Sequence, residues 1–312
     1  MPLTGGVSIC LTMLFGTYLL ETNPLFNEVL AIAMGLFLLG VLDDLRNINP
    51  WVRLLSQFVA GAALVYCGII ITNMGNLLAM GDIPLLGVAG PLTVVAMVGL
   101  SNAFNMIDGI DGLAGSMLAI PNLALYLLAI NSGYVTADLP LLMLTLTPIA
   151  VFLVFNLGPN NRLLPKMFLG DAGSVTLGFL AAVSLVYFSQ GENALIEPVT
   201  ALWFVAVPLM DMLFTLMRRA KRGSKLMQAD RSHVHYKLID MGLSPRQALI
   251  VLVGAGAIFA VIGLLLENIP AYLSLACYFA LFGCHCLFVM RSEAGAITKS
   301  RKPPGKVAGL EQ

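Results

Sequence analysis

The chain has 312 residues, of which 58% are hydrophobic and 11% are charged, and its formal net charge is zero. Soluble domains carry about 25% charged residues, so this composition excludes an ordinary soluble protein. The zero net charge also argues against a nucleic-acid-binding protein. Charges are clustered and leave apolar stretches that cover most of the roughly 20 residues needed to cross a bilayer. Ten such segments follow one another: Val7–Leu20, Val29–Leu42, Leu54–Ile71, Pro91–Phe104, Leu113–Ile130, Leu141–Phe155, Val175–Phe188, Val199–Met217, Ala248–Leu266 and Ala271–Met290.

The basic residues indicate how these helices are oriented. If the segments alternate in direction, all 17 Lys and Arg residues fall on one side of the membrane, and the opposite loops carry only acidic residues. By the positive-inside rule the basic side is cytoplasmic. The sequence therefore predicts an all-α polytopic membrane protein with about ten transmembrane helices. An integral domain, residues 1–290, is followed by a basic tail, residues 291–312, which is expected to be disordered.

Four of the predicted cytoplasmic loops carry acidic side chains where a membrane protein usually places basic ones. They contain the segments Asp43–Asp44, Asn105–Leu113, Phe168–Ser174 and Asp230–His235. Adjacent carboxylates such as Asp43 and Asp44 repel each other unless a cation lies nearby. A solvated loop pair is the ordinary alternative for such a dipeptide.

The second of these loops has the pattern expected of a metal site. Asn105, Asp108 and Asp111 are spaced by three residues, which keeps their oxygens close together if the stretch is helical. Gly109 and Gly112 permit a tight bend or a close backbone approach. Hard oxygen donors of this kind suit Mg²⁺ or Mn²⁺ rather than zinc.

The third loop opens the next apolar segment. The amides of Gly170–Ser174 are therefore predicted at a helix N-terminus and could hold a phosphate, although a capped helix start is the ordinary alternative. Because all four loops are predicted on one face, a divalent cation bound with a polyphosphate would relieve the repulsion among their carboxylates. Arg231 and the basic run Arg218–Arg222 would complete the anion-binding site.

Asp211 is the one acidic residue predicted within a membrane segment away from its ends. It lies seven residues before Arg218, or about 10 Å along a helix. A lipid-facing carboxylate there would cost about 3 kcal/mol, so it is expected to face the bundle interior. Binding to substrate and structural pairing with an arginine both remain open. Pro208, one turn earlier, is expected to kink this helix.

The four acidic segments, in this order, resemble the motifs of the polyprenyl-phosphate N-acetylhexosamine-1-phosphate transferases of glycosyltransferase family 4. The resemblance covers nearly the whole chain, and its most specific parts are Asn102–Leu113 and Phe168–Ser174. It implies transfer of N-acetylglucosamine 1-phosphate from UDP-N-acetylglucosamine to the membrane lipid undecaprenyl phosphate. This reaction would be the first membrane step of a cell-surface polysaccharide such as O-antigen or common antigen. It would take place at the cytoplasmic face of a bacterial inner membrane.

The resemblance also implies roles for individual residues. Asn105 and Asp171 would bind Mg²⁺, with Mn²⁺ as an alternative. Asp43 and Asp44 would be catalytic and would face the lipid phosphate. They could position it or remove its last proton, or one of them could form an aspartyl-phosphate intermediate.

Five further residues would bind the substrate according to the same resemblance. Asp111 would contact the uracil, and Asp108 would lie near the nucleotide. Arg231, His233 and His235 would bind the sugar or the pyrophosphate of the donor.

The chain departs from the family pattern at two places. The family's histidine motif usually ends in another histidine, where this chain has Tyr236. Relatives usually have eleven helices, with a further N-terminal helix before the segment that matches Pro2–Gly6. That first helix is therefore expected to be missing here. A homodimer is compatible with the sequence, which does not fix the oligomeric state.

Three other functions stay open. A transferase that uses UDP-MurNAc-pentapeptide in peptidoglycan synthesis belongs to the same superfamily, but it has a more histidine-rich motif than Asp230–Tyr236. A secondary transporter would place polar residues at the middle of broken helices, where this chain has only Asp211. An inactive scaffold for glycan assembly is the third alternative.

Overall fold

The computed structural model describes residues 4–20, 22–46, 48–133, 138–223 and 233–300, with no side-chain detail at 193 and 293–300. Within these ranges the chain is a bundle of α-helices without β-strands. In chain order the helices are α1 (Thr4–Leu19), α2 (Pro24–Arg46), α3 (Pro50–Tyr66), α4 (Ala89–Ile107), α5 (Leu113–Asn131), α6 (Leu139–Leu157), α7 (Gly170–Tyr187), α8 (Pro198–Phe204), α9 (Ala206–Lys221), α10 (Val234–Asp240), α11 (Pro245–Leu265) and α12 (Ala271–Ser300).

The helices confirm an all-α polytopic membrane protein, for which the sequence predicted about ten transmembrane helices. Each of the ten apolar segments coincides with a helix or, for Val199–Met217, with the pair α8 and α9. In the described part of the chain, seven helices are long and apolar enough to cross a membrane, or eight if α8 and α9 form one broken span. Helices α1 and α3 have only 16 and 17 residues. Helix α12 continues to Ser300, beyond the predicted end of the membrane domain at residue 290.

Helix α7 is the centre of the bundle. Its membrane-length window is 83% buried, the highest value among the candidate spans of the described chain. Two glycines allow the close approach of its neighbours: a Cβ at Gly40 of α2 would lie 2.5 Å from the Cα of Ala172, and one at Gly178 would lie 2.5 Å from the carbonyl oxygen of Leu100 in α4. Small residues at helix contacts are typical of membrane bundles. This packing brings the start of α7 beside the last turns of α2 and α4.

Helices α8 and α9 meet at an angle of 83°. Helix α8 ends at Phe204, the residue four positions before Pro208, because proline has no amide hydrogen to donate to the Phe204 carbonyl. The amide of the next residue, Leu209, donates to the carbonyl of Val205 at 3.0 Å and resumes the helical pattern. The predicted kink is therefore present, three residues before the proline, and it directs α9 toward the polar end of the bundle.

The contact between α4 and α7 gives a first testable expectation. Replacing Gly178 with Ala should lower the thermal midpoint of the protein in detergent, because the new methyl group would overlap backbone atoms that cannot move away. Overpacking of this kind costs about 1–3 kcal/mol. The control is Gly35→Ala in α2, where an added Cβ meets nothing within 4 Å and alanine favours the helix by about 1 kcal/mol. Equal midpoints for the two variants would contradict the close contact.

Candidate active site

The polar residues of several helix ends line one cavity of about 870 Å³, a volume typical of sites for small ligands. The cavity lies where α4 ends and where α3, α7 and α10 begin. Five of the residues singled out from the sequence are found here: Asn105, Asp108, Asp171, His233 and His235. The fold thus joins residues that lie up to 130 positions apart in the chain.

Arg53, at the start of α3, connects the aspartate pair with the start of α7. Its Nη1 lies 3.1 Å from Oδ2 of Asp43 and 3.1 Å from Oδ2 of Asp171. The other oxygen of Asp43 accepts a hydrogen bond from the amide of Ile48 at 2.8 Å. Asp43 does not line the main cavity but a smaller recess, which shares Arg53 and Asp171 with it. Arg53 is a site residue that the acidic motifs do not reveal, although it and Arg46 are the only basic residues before position 162.

Asp44 binds the N-terminus of α7. Its Oδ2 accepts a hydrogen bond from the amide of Ala172 at 3.4 Å. This amide belongs to the first turn of α7, where the sequence suggested that amides could hold a phosphate. One of those donors is therefore engaged by a carboxylate of the protein itself, and Asp44 acts here as the anion at the helix N-terminus.

Asn105 and Asp171 line the same cavity and are connected through Ser174. The side-chain amide of Asn105 donates to Oγ of Ser174 at 3.0 Å, and this hydroxyl donates to the backbone carbonyl of Asp171 at 3.2 Å. The NH₂ group of Asn105 is therefore used, which leaves its oxygen as the atom that can bind a cation. The hydroxyl of Ser174, one turn into α7, fixes the position of the asparagine.

The pKa of Asp108 is raised by its surroundings in the cavity. Asp108 follows the last residue of α4, and burial raises the pKa of its carboxyl group to about 7. Repulsion from the carboxylates of Asp171 and Asp111 contributes further to this increase. A bound cation would oppose this increase in the pKa of Asp108, because opposite charge favours the ionised form.

The donor set fits a hard divalent cation that arrives with its substrate. No group of three or more His, Cys, Asp or Glu side chains in the described chain is arranged to hold a metal ion alone. Mg²⁺ is usually bound by one or two carboxylates together with substrate phosphates, and it keeps several waters. One amide oxygen, from Asn105, and one carboxylate, from Asp171, at the wall of a large cavity match that requirement.

The two histidines form a stacked pair, with ring centroids 5.8 Å apart and ring planes at 9°. His235 is completely buried, and neither of its ring nitrogens has a hydrogen-bond partner among the described residues. Its Nε2 packs against Gly109, where any side chain would overlap the ring. Burial lowers the pKa of His235 to about 4, so this imidazole is neutral at pH 7.

Asp211 holds the other histidine. Its Oδ2 lies 2.8 Å from Nδ1 of His233, and its Oδ1 accepts a hydrogen bond from the amide of Val234 at 2.7 Å. Asp211 faces the bundle interior as expected, but it does not line the cavity, and the described partner is a histidine rather than an arginine. Arg219 of the predicted basic run is buried and lines the cavity.

Asp111 lies apart from the other predicted ligands. Helix α4 ends at Ile107, so the helical spacing expected for Asn105, Asp108 and Asp111 is not present. Gly112 adopts a positive φ of 77° and ends the turn that leads Asp111 away. Asp111 forms an ion pair with Lys166, and both line a separate recess of about 360 Å³.

Arg231, predicted to bind the donor, and the neighbouring residues Asp230 and Ser232 lie outside the described residues. Lys166 and Asn102, which were not proposed as site residues, line the recess of Asp111 and the main cavity respectively. Lys166 could have been noticed as the lone lysine beside the third acidic motif, whereas Asn102 carries no charge that would distinguish it from other polar residues in α4.

Comparison with known proteins finds relatives that match most of the chain. Residues 26–189 match glycosyl transferase family 4. The chain is 34% identical to an undecaprenyl-phosphate alpha-N-acetylglucosaminyl 1-phosphate transferase of Yersinia pestis over 92% of its own length and 80% of the relative's. It is 33% identical to the enzyme of the same name from Escherichia coli O157:H7, over 92% of this chain and 79% of the relative. A probable undecaprenyl-phosphate N-acetylglucosaminyl 1-phosphate transferase of Bacillus subtilis is 29% identical over 97% of this chain and 83% of the relative.

Proposed function

Because the chain belongs to glycosyl transferase family 4, we propose that it transfers N-acetylglucosamine 1-phosphate from UDP-N-acetylglucosamine to undecaprenyl phosphate and releases UMP. The reaction takes place at the cytoplasmic face of a bacterial inner membrane and begins the synthesis of a cell-surface polysaccharide. The names of the relatives support the sugar phosphate and the lipid acceptor.

The observation that carries the proposal is the junction of a polar cavity with an apolar one. An apolar cavity of about 340 Å³ adjoins the main cavity. The two share four lining residues: Val95, Gly99, Met212 and Leu213. A nucleotide sugar needs the acidic and basic lining of the first, and the chain of a polyprenyl lipid needs an apolar surface such as the second. The acceptor phosphate would then lie in the polar cavity, where Arg53 lines the wall.

In this proposal Asn105 and Asp171 hold Mg²⁺, or Mn²⁺, together with the diphosphate of the donor. When bound, the cation neutralises the diphosphate and stabilises the leaving UMP. Asp108 lies beside the nucleotide. Asp111 contacts the uracil, which requires the donor to extend into the separate recess that Asp111 lines. His233, His235 and Arg231 contact the sugar or the pyrophosphate.

Asp43 and Asp44 then serve to organise the acceptor side. A phosphate monoester has a second pKa near 6, so the lipid phosphate is mostly a dianion at pH 7 and needs no general base. Both oxygens of Asp43 are already hydrogen-bonded, to Arg53 and to the amide of Ile48. These bonds lower the nucleophilicity of the carboxylate. They favour direct transfer over an aspartyl-phosphate intermediate, with Asp43 holding Arg53 in place for the incoming phosphate.

A purified assay tests the function. We expect the detergent-solubilised protein to convert UDP-N-acetylglucosamine and undecaprenyl phosphate to a lipid diphosphate sugar and UMP, with turnover that stops on chelation and returns with Mg²⁺. UDP-MurNAc-pentapeptide should give no lipid product. Turnover of the pentapeptide donor alone would assign the chain to peptidoglycan synthesis, and uptake of solute by proteoliposomes without lipid product would indicate a transporter.

A further inference from the structure

Asp211 forms two hydrogen bonds at a buried position in the middle of α9. Asp211 is only 1% exposed. Burial of a carboxylate is costly unless the carboxylate is hydrogen-bonded. Both of its oxygens are engaged by the start of α10, one by the ring of His233 and the other by the amide of Val234. The acceptor positions that face α10 are therefore satisfied within the protein.

We propose that Asp211 is a positioning residue that acts on the donor through His233: it fixes the ring with Nδ1 protonated and leaves Nε2 as the nitrogen that accepts a hydrogen bond from a hydroxyl group of the donor sugar in the cavity. This role rests on the proposed function, because it takes the main cavity to be the donor site. Asp211 itself does not touch the substrate.

The chemistry of the pair determines the orientation of the ring. An ionised carboxylate only accepts hydrogen bonds, so the histidine nitrogen that faces it carries the hydrogen. The state of the other ring nitrogen then follows from this bond. With Nδ1 held at 2.8 Å from Oδ2 of Asp211, Nε2 is the ring nitrogen of His233 that is left for a ligand.

The same contact fixes the second histidine. His233 stacks on His235, and His235 packs against Gly109, next to Asp108. Asp211 thereby connects α9, the start of α10 and the loop that follows α4. The carboxylate of Asp211 sets the position of both imidazoles relative to the acidic residues of the cavity, although Asp211 itself does not line the cavity.

The alternative is that Asp211 merely caps α10, and Asp211→Asn separates the two. Asparagine keeps the size of the side chain and an oxygen for the amide of Val234. However, it presents an NH₂ group to Nδ1 of His233, which must then lose its hydrogen. Replacing an orienting carboxylate by an amide in this way preserves geometry while inverting the tautomer. A capping role survives this change, and a positioning role does not.

The tautomer can be measured without turnover. The chain contains three histidines, so labelling with ¹⁵N-histidine gives three imidazoles, and the signal lost in His233→Gln identifies His233. We expect Nδ1 of His233 to be protonated in the native protein and unprotonated in Asp211→Asn. An unchanged His233 signal in Asp211→Asn would overturn the proposal.

Kinetics give the second measurement. We expect kcat/KM for Asp211→Asn to fall about 10- to 100-fold, the loss usual when the partner that orients a functional histidine is removed, and Asp211→Ala to lose at least as much. The control is Thr215→Val, one turn along α9, where the buried hydroxyl has no hydrogen-bond partner among the described residues. It should retain native rates.

The outcomes separate this role from the proposed function. If the native protein makes no lipid product, the proposed function fails, and the imidazole signals still decide whether Asp211 sets the tautomer. If the native protein is active and Asp211→Asn has native kcat/KM while Asp211→Ala is impaired, Asp211 is only a cap, and the positioning role is wrong.

Discussion

Replacing Asp171 with Asn should lower kcat/KM by about 100- to 1,000-fold, the range found when one group that stabilises transition-state charge is removed. Asp171 contributes the carboxylate that the proposed cation needs, and its side chain is 55% exposed in the cavity. Asparagine preserves the size of the side chain but removes the negative charge. The measurement is the initial rate as a function of Mg²⁺ concentration, with UDP-N-acetylglucosamine and undecaprenyl phosphate at fixed levels. The Mg²⁺ concentration for half-maximal rate should increase along with the loss of activity.

The matched control for Asp171 is Asp82→Asn. Asp82 is an exposed acidic residue on the loop between α3 and α4, which is predicted on the opposite face of the membrane, so its loss should leave both the rate and the Mg²⁺ requirement unchanged. If Asp171→Asn lost activity with an unaltered Mg²⁺ requirement, the aspartate would act on the substrate directly. Asn105 and Asp171 would then no longer be a metal pair.

The approach of Asn105 to Asp171 could be predicted from the sequence because it depends on topology alone. Both residues flank apolar segments, and alternating helices return to the same side of a bilayer at every second loop. The structure indeed places them on the two sides of Ser174. No knowledge of side-chain packing was needed for this prediction.

The position of Asp111 could not be predicted in the same way. The regular spacing suggested one helical face for Asn105, Asp108 and Asp111, but the helix ends before Asp108. The positive φ of Gly112 then decides where the chain goes. Regular spacing places ligands on one face only while the helix continues. Gly109 and Gly112, two glycines within five residues, indicate that the helix does not continue here.

The pairing of Asp211 with His233 depends on a still longer range of structure. The bend of 83° between α8 and α9 determines which way Asp211 faces, and His233, which is 22 positions further along the chain, must lie beside it. Pro208 indicates the bend in the sequence but not its angle. Asp211 was therefore correctly placed in the interior, while its partner was not identified.

Arg53→Gln should cost activity while leaving stability nearly unchanged. The guanidinium of Arg53 is the described cation between Asp43 and Asp171, with one nitrogen 3.1 Å from each carboxylate. Without it, the two carboxylates repel each other and the incoming lipid phosphate at the place where two anions must meet. We expect kcat/KM to fall about 100-fold, the lower end of the effect of losing one electrostatic stabiliser. Arg53→Lys keeps the charge but not the fork of donors, and should fall between the native protein and Arg53→Gln.

Stability distinguishes this functional role from a structural one. The side chains of Arg53 and Asp171 are 30% and 55% exposed, and ion pairs of such exposure contribute only about 0–1 kcal/mol. Asp43 is less exposed, at 13%, but it keeps its hydrogen bond from the amide of Ile48. The thermal midpoint of Arg53→Gln in detergent should therefore stay close to that of the native protein. The control is Arg46→Gln, which removes an exposed arginine from the last turn of α2 and should keep native activity. A large fall in the thermal midpoint of Arg53→Gln, with a proportionate loss of activity, would contradict this role. Arg53 would then hold α2, α3 and α7 together and would not receive the acceptor. An arginine that serves the reaction must affect the rate far more than the stability of the fold.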